Sequence, residues 1–562
     1  MWITSIHLKN FRCFKSLSLA ASEDLNILVG ENNVGKTSIF IAVSKLIKAL
    51  WPQTEQTFGP QDRFKPEDIR QSRPPVKSLS VSCTYSLDMN DKRDIVDLFS
   101  PNDFDLRTKR LLKQRMSTMN ILDTLEARLE WSQQGTNTCL KLGPLYIQRD
   151  DRLTSKSTRT GSSIPLQTVA RSLVSSEYSK TLEEFREGDT NWTADNLRNN
   201  ILNTLTPRFS YFCEYRGKPT SMKRTTSLES LEGSHTASVL LNLKNHIDKR
   251  QRDRYLGIRF AFSTFFPQLK IEAVETAPGS NIADIQFTQI GGTISLPTEN
   301  VGAGVLELLT LLTNLVTLRC YTFVIEEPEL HLHPHMKRHL AEFIRHSSTK
   351  NQVFVITHDP VFIDPDYILN LNRLYPAGKR TGTAVASMSA ALSSQDIGRI
   401  KTASKNLIKR ELYFARAVLF VEDESQQKFI EGCAKKLQIS LDSHGISIIE
   451  VGGKDGFKPY ISLATQLRIP FICLADLPWP SSADRPSNIY RSLGCELEQH
   501  LDQAGLGSLM EQARQEIGTS KQRVAKYCGE NIDVSLIPVF FDQLLKDAAK
   551  LCKKHYSYKT KQ

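Results

Sequence analysis

The hydrophobic and polar positions of the chain change rhythm along its length, and each rhythm predicts a different kind of element. Trp2–Leu8 alternates as an amphipathic strand does, and Leu25–Val29 is a short apolar run that stops at a glycine turn, Gly30. After the turn the period becomes helical and places Ile39, Val43, Leu46, Ile47 and Leu50 on one face. Alternation returns in Ser78–Leu87, Leu125–Trp131 and Thr138–Ile147, which read as antiparallel strands of an elaborated lobe. The Pro-, Gln-, Asp- and Arg-rich stretch 51–78 and the polar run Arg149–Ser163 read as loops.

Residues 164–265 look mainly helical, Ile271–Leu296 is strand-like, and an apolar helix follows Gly304. Strands are expected at Thr322–Ile325 and Val353–Ile356. A basic connector, Lys401 to Arg416, then marks a domain boundary expected near residues 405–412. Beyond it the short apolar runs Ala417–Val421, Ile446–Val451 and Pro470–Ala475 alternate with helices, the pattern of a small parallel sheet. The tail with Lys553, Lys554, Lys559 and Lys561 is expected to fray.

With 562 residues the chain has room for two to four domains with their own cores. Its 40% hydrophobic and 24% charged content excludes collagen-like and disordered classes. A net charge of +11, from 72 Lys+Arg against 61 Asp+Glu, favours a polyanionic partner without naming one. The cluster Lys244, Lys249, Arg250, Arg252, Arg254 and Arg259 reads as a solvated helix face, with a DNA or subunit contact as the alternative. The ten cysteines are scattered, with no zinc or redox spacing, so a reduced, cytoplasmic setting is expected. Neither a secretory leader nor an apolar run of ~20 residues is found, so no membrane partner is expected.

The strongest local chemistry is Gly30-Glu-Asn-Asn-Val-Gly35-Lys36-Thr37, a Gly-x4-Gly-Lys-Thr phosphate loop between a strand and a helix. Its N–H groups can point at phosphates, Lys36 can meet the β/γ oxygens, and Thr37 can offer a hydroxyl to Mg2+. Gly30, Asn32, Asn33, Gly35, Lys36, Thr37 and Ser38 are therefore the expected nucleotide contacts. Such an engine needs acids at the end of a second apolar strand, and Thr322-Phe-Val-Ile-Glu326-Glu327 supplies them. Glu326 is the expected metal-side acid and Glu327 the water-orienting base; surface caps are the alternative. His358, in Val353-Phe-Val-Ile-Thr-His358-Asp359, ends another strand and is expected to sense the γ-phosphate. Four of the twelve histidines, His331, His333, His335 and His339, crowd one segment. A loop flanking the nucleotide is the expected reading, with a metal site as the alternative.

A second group of acids lies downstream. Glu422 and Asp476 each end an apolar strand, Glu424 follows the first, and Glu496-Leu-Glu498 adds two more. Acids at the C-terminal ends of adjacent parallel strands converge where such sheets bind ligands, and convergent carboxylates hold hard cations. Three unrelated strand-end acids are the alternative.

Leu8-Lys9-Asn10-Phe11-Arg12, the phosphate loop, Glu326-Glu-Pro-Glu-Leu-His-Leu-His-Pro334 and Thr357-His-Asp-Pro360 together resemble the ABC/SMC-type ATPases of the RecF and OLD (overcoming lysogenization defect) families. The resemblance implies a head-to-tail nucleotide sandwich, hence a homodimer or higher oligomer. It also implies that Asn300-Val-Gly302-Ala-Gly304 is a degenerate signature motif, with Gly302 and Gly304 reaching the nucleotide of the other subunit. The order Glu422, Val451-Gly-Gly-Lys454, Asp476, Glu496-Leu-Glu498 resembles the Toprim domain of OLD-family nucleases. By that resemblance Glu422 is the Toprim glutamate, Asp476 opens the Asp-x-Asp motif, Glu496 and Glu498 are further metal-side acids, and Lys521 is the late basic residue; Glu424, two residues after Glu422, is a further metal candidate. This chain departs from the pattern at Asp423, Gln426 and Pro478; Asp423, Glu424 and Asp484 are the candidate substitutes.

The implied fold class is α/β: an ABC-type P-loop ATPase with a helical insertion, followed by a Rossmann-like Toprim parallel sheet. The implied domains are 1–150 and 266–405 for the ATPase, 151–265 for a helical insertion in a possible dimerisation role, and 406–562 for Toprim. The implied function is an ATP- and Mg2+-dependent DNA endonuclease, with Mn2+ as an alternative ion, in bacterial anti-phage defence. Whether it stands alone, with a retron nucleic acid or beside a helicase is open. The competing reading is a RecF-like ATP-gated DNA sensor with a non-cleaving Toprim domain; a transporter ATPase would lack the Toprim half.

Overall fold

The computed structural model describes residues 1–51, 64–71, 75–98, 124–142, 145–152, 163–165, 191–193, 200–212, 222–223, 233–277, 279–292, 295–378, 382–388, 393–477 and 489–556. Most of the loop expected at 51–78, most of Arg149–Ser163, much of the 164–265 stretch, Pro478, Asp484, Lys559 and Lys561 lie outside them. Packing divides the chain into two units, Met1–Leu28 with Gly35–Thr357, and Val29–Val34 with His358–Gln562.

In the first unit, four parallel strands run in the order Phe209–Phe212, Thr322–Glu326, Gln352–Ile356, Leu25–Gly30. All but the first of these carry fully buried five- or six-residue runs, as a sheet covered on both faces requires. The helix Lys36–Leu50 buries Ile39, Val43, Leu46, Ile47 and Leu50 as its period predicts. An antiparallel series, Phe14–Ala20, Trp2–Phe11, Ser78–Ser86, Thr124–Ser132, Gly135–Leu142, Leu145–Arg152, forms the elaborated lobe. The single strand expected at Thr138–Ile147 is two strands, paired back on themselves with Leu142 opposite Leu145.

Gln352, wholly buried, donates its amide to the carbonyls of Ile3 and Ser22 and accepts from Ile3 N–H and the Thr322 hydroxyl. One side chain thereby satisfies four polar groups and locks strands at opposite ends of the sequence.

The described part of the 164–265 stretch is helical at residues 200–204, Thr236–Lys244 and Lys249–Phe265, but it also supplies the core strand Phe209–Phe212. Four consecutive buried residues carry no period, so this strand was hidden among helical neighbours. Of the basic cluster, Lys249, Arg250, Arg252 and Arg254 are exposed. Lys244 pairs with Glu272, Arg252 donates to the carbonyls of His246 and Ile247, and Arg259 lies over the Tyr255 ring.

The second unit contains the hairpin Leu371–Gly378/Gly382–Ser387, the helix Ser394–Ala403, and a four-stranded parallel sheet. The sheet order is Ile446–Glu450, Ala417–Val421, Phe471–Ala475, Tyr490–Ser492. Helices Glu424–Lys436 and Phe457–Gln466 connect its strands, and helices through Val539–Tyr556, which takes in Lys553 and Lys554, complete the unit. The boundary expected near 405–412 moves to Thr357/His358. The cause is polar: the buried Arg373 guanidinium donates to the carbonyls of Ala415, Leu467 and Arg468, and Arg410 donates to that of Pro360. No helix among the described residues is long and apolar enough to cross a membrane.

Candidate functional site

The phosphate loop owes its shape to three left-handed or otherwise positive backbone angles, Gly30 at φ 149°, Asn33 at 64° and Gly35 at 98°. Gly35 is the residue before the helix Lys36–Leu50, and a Cβ on it would meet Cys13 Sγ at 2.4 Å. No other residue type meets both conditions there. Successive turns of this sort aim N–H groups at one point, and the helix N-terminus adds its dipole. Lys36, Thr37 and Ser38 occupy the first turn.

A buried charge network lies beneath that turn. Asp68 accepts from Lys45, within the helix, and from Arg12 Nε at 3.0 Å; Arg12 in turn donates to Ser38 Oγ at 3.3 Å. Burial alone would raise the Asp68 carboxyl, but Lys45, the Lys65 N–H and Arg12 outweigh it and hold it below the ordinary carboxylate range.

Glu326 ends its strand buried, and Glu327 follows at φ 42°, its N–H bonded to Ile356 O at 2.8 Å. A non-glycine residue in that region is uncommon and here re-aims the chain at the strand end. Glu329 accepts from the Thr357 hydroxyl at 2.9 Å through both oxygens, so the acidic turn is tied to the residue before His358. Gly302 precedes the helix Ala303–Thr317 facing open space, whereas a Cβ on Gly304 would meet His331 O at 2.5 Å. His331 also contacts the buried Glu307 at 3.3 Å. His339 bonds Thr264 and His335 bonds Arg338. His333 caps the helix Pro334–Ser348, which contains His335 and His339, so the segment expected as a loop is partly helical; no trio of His, Cys, Asp or Glu among the described residues is arranged to hold a metal.

At the second centre, Glu422 follows the strand Ala417–Val421 and Asp476 follows the adjacent parallel strand Phe471–Ala475. Asp476 N–H donates to Glu422 Oε2 at 2.9 Å. Gly453 N–H binds Glu422 O and Gly494 N–H binds Asp476 O, so both acids are pinned at one sheet edge. Gln426, fully buried, donates to Asp476 Oδ1 at 2.6 Å and accepts from Glu422 N–H at 2.9 Å. Burial pushes the Asp476 carboxyl up to about 6; the Gln426 amide opposes this, and the charges of Glu422, Asp423 and Glu498 add to it.

Asp423 also caps the helix Glu424–Lys436 by accepting from Gln426 N–H. Glu424 stands exposed at that helix's first turn and does not contribute to the shift of Asp476. Glu496 and Glu498 flank Lys521 at 3.1 and 3.6 Å.

Two family descriptions match the sequence: an AAA ATPase domain over residues 1–363, and an overcoming lysogenization defect protein-like TOPRIM domain over residues 413–477. The chain belongs to the AAA ATPase domain family, and its residues 413–477 are similar to the TOPRIM domain of overcoming lysogenization defect proteins.

This AAA ATPase-family chain is an enzyme that joins an ATPase to a Toprim, nuclease-type domain. The OLD nuclease of Thermus scotoductus is 20% identical over 489 residues, which cover 84% of this chain and 82% of that protein. The endonuclease GajA of Bacillus cereus is 27% identical over 172 residues, 31% of this chain and 28% of that protein. The solved C-terminal region of the Burkholderia pseudomallei OLD protein shares 24% identity, with a TM-score of 0.22, and matches 25% of this chain and 99% of that one.

The divalent cation that both domains imply fits the two centres differently. At the nucleotide loop a hydroxyl, Thr37, and a buried carboxylate, Glu326, are the hard oxygen donors such an ion takes. At the Toprim edge Glu422 and Asp476 are hard oxygen donors at the ends of adjacent parallel strands, and no trio of His, Cys, Asp or Glu among the described residues forms a cage around them. Sequence reasoning passed over Gln426 as a bridge between the two acids, Arg12 and Asp68 under the phosphate loop, and Glu329 with Thr357. Of these, Arg12, Glu329 and Thr357 lie inside motifs that the sequence shows, whereas Asp68 carries no local signal.

Proposed function

We propose that the chain is an ATP-binding and ATP-hydrolysing DNA endonuclease that acts in bacterial anti-phage defence, alone, with a retron or beside a helicase-like partner. The observation that carries this reading is the Glu422–Asp476 pair: two acids on one sheet edge, with the Asp476 backbone N–H donating to the Glu422 carboxylate, the Gln426 amide donating to the Asp476 carboxylate, and further acids around them. Such a site attracts a divalent cation, Mg2+ or Mn2+, which when bound supplies charge stabilisation and an acidified water for phosphodiester hydrolysis.

The chain's own residues do the remaining work. Gln426 fixes the Asp476 carboxylate, Glu424, Glu496 and Glu498 border the site, and Lys521 offers positive charge to the cleaved phosphate. In the ATPase, Lys36 meets the β/γ oxygens, Thr37 and Glu326 serve the nucleotide's Mg2+, Glu327 orients the attacking water, and His358 faces the γ-phosphate. Asn32, Asn33 and Ser38 line the loop. Gly302 and Gly304 close on the nucleotide of a second copy in a homodimer.

Supercoiled DNA incubated with Mg2+ or Mn2+ tests the proposal. Wild type nicks it, while Glu422→Ala and Asp476→Ala do not; equal, feeble nicking by all three would sink it. Gln426, where the family pattern has an acid, favours a second reading, an ATP-gated DNA sensor. That protein would bind DNA in an ATP-dependent way and cleave with neither ion.

A further inference from the structure

Residues Val29–Val34, the first half of the phosphate loop, pack with the C-terminal unit. Arg416 of that unit binds the loop directly, and Arg373 braces the strand on which the loop lies. A Cβ on Gly30 would meet Leu374 O at 2.6 Å, so the loop backbone lies directly on the strand Leu371–Gly378. The neighbouring Arg373, 2% exposed, spreads its guanidinium over the carbonyls of Ala415 at 2.9 Å, Leu467 at 3.2 Å and Arg468 at 3.3 Å. The next loop residue, Glu31, receives a two-point fork from Arg416, Nε to Oε1 at 2.9 Å and Nη2 to Oε2 at 3.2 Å. Arg416 is itself fixed: its N–H donates to Gly445 O at 2.8 Å, and its stem fills the space a Cβ on Gly445 would need. It directly precedes the fully buried strand Ala417–Val421, at whose far end stands Glu422.

The electrostatics of this arrangement need explaining. A loop built to receive a triphosphate carries a carboxylate, Glu31, that would repel it. Arg416 cancels that charge from 385 positions away.

We propose that Arg416 is a positioning residue for the phosphate loop, and that the Glu31–Arg416 pair is the link through which ATP occupancy and the Toprim edge sense each other. The inference rests on the reading that the loop binds ATP and the Toprim edge meets DNA. A triphosphate beside Glu31 stresses the fork, and a short, close-packed strand passes displacement at one end to the acid at the other. Coupling of this kind is reciprocal, so DNA must change ATP affinity by the factor by which ATP changes DNA affinity.

The test measures binding of a fluorescent ATP analogue, with and without a linear DNA duplex, in a Glu327→Gln background that does not hydrolyse it. Wild-type contacts give a DNA-induced shift in affinity of about fivefold or more. Arg416→Met weakens the analogue about five- to tenfold, because the fork that offsets the Glu31 charge is lost, and abolishes the shift. Adding Glu31→Gln restores the affinity but not the shift, an outcome that general unfolding would not give. The proposal is overturned if DNA leaves the affinity unchanged in wild-type contacts, if Arg416→Met keeps the shift, or if Glu31→Gln fails to restore binding. The readout is binding, so a protein that proves unable to cleave DNA fails the functional reading above without deciding this one.

Discussion

Asp68 and Asp476 are both aspartates withdrawn from water, and their surroundings treat them in opposite ways. Asp68 lies between Lys45 and Arg12, and these cations hold its carboxyl below the usual range. Asp476 has the amide of Gln426 as its side-chain partner and feels the negative charges of Glu422, Asp423 and Glu498, which, with burial, push it up to about 6. Burial penalises both ionised forms; the difference lies in what surrounds them. The ATPase half has neutralised its structural charge internally. The Toprim edge keeps an excess of negative charge, the condition under which an added divalent cation gains most.

The largest effect that would break this contrast is at Asp68. Asp68→Asn leaves Lys45 buried beside a neutral amide and should destabilise the first unit by about 3–5 kcal/mol, read by urea unfolding. Because the folded carboxyl is depressed, its contribution is fully present above the unfolded pKa of about 3.9 and is lost as pH falls through the lower folded value. The gap between wild type and Asp68→Asn should therefore close below about pH 4. A gap that persists would show that packing, not charge, accounts for the loss.

Next in size is Lys36→Ala, which should lower ATP hydrolysis about 10²–10³-fold, the scale for removing one preorganised positive donor. DNA nicking without nucleotide should survive, since the carboxylate pair does not include it. Loss of both activities would make the two centres one.

The contrast sharpens with Gln426→Glu, which returns an acid to the position between Glu422 and Asp476. It should tighten Mn2+ binding about tenfold and lower the melting temperature of the metal-free protein, because a third carboxylate is added to an uncompensated pair. The smallest effect is expected at Lys521→Met. Lys521 is about two-thirds exposed, so its pairs with Glu496 and Glu498 should contribute under about 1 kcal/mol to stability. Its effect should instead appear in the nicking rate.

The two regions also differ in how far their sequence could be read. The phosphate loop, Glu326 and Glu327 are legible because their chemistry is contiguous: each group lies at a strand end within a few residues of the turn that presents it. The parallel C-terminal sheet was legible for the same reason, as short apolar strands separated by helices. What escaped was non-local. Phe209–Phe212 has no period to betray it, and residues 358–405 join the second unit through the Arg373 guanidinium and three distant carbonyls. Gln426 reads in sequence as a missing acid, and only its bonds to both Glu422 and Asp476 make it a brace.

Isothermal titration of Mn2+ into the nucleotide-free protein tests the central contrast most directly. The account predicts one site that disappears in both Glu422→Gln and Asp476→Asn and is retained in Lys36→Ala. Mn2+ binding that survives both carboxylate substitutions, or that is lost with Lys36, would contradict it.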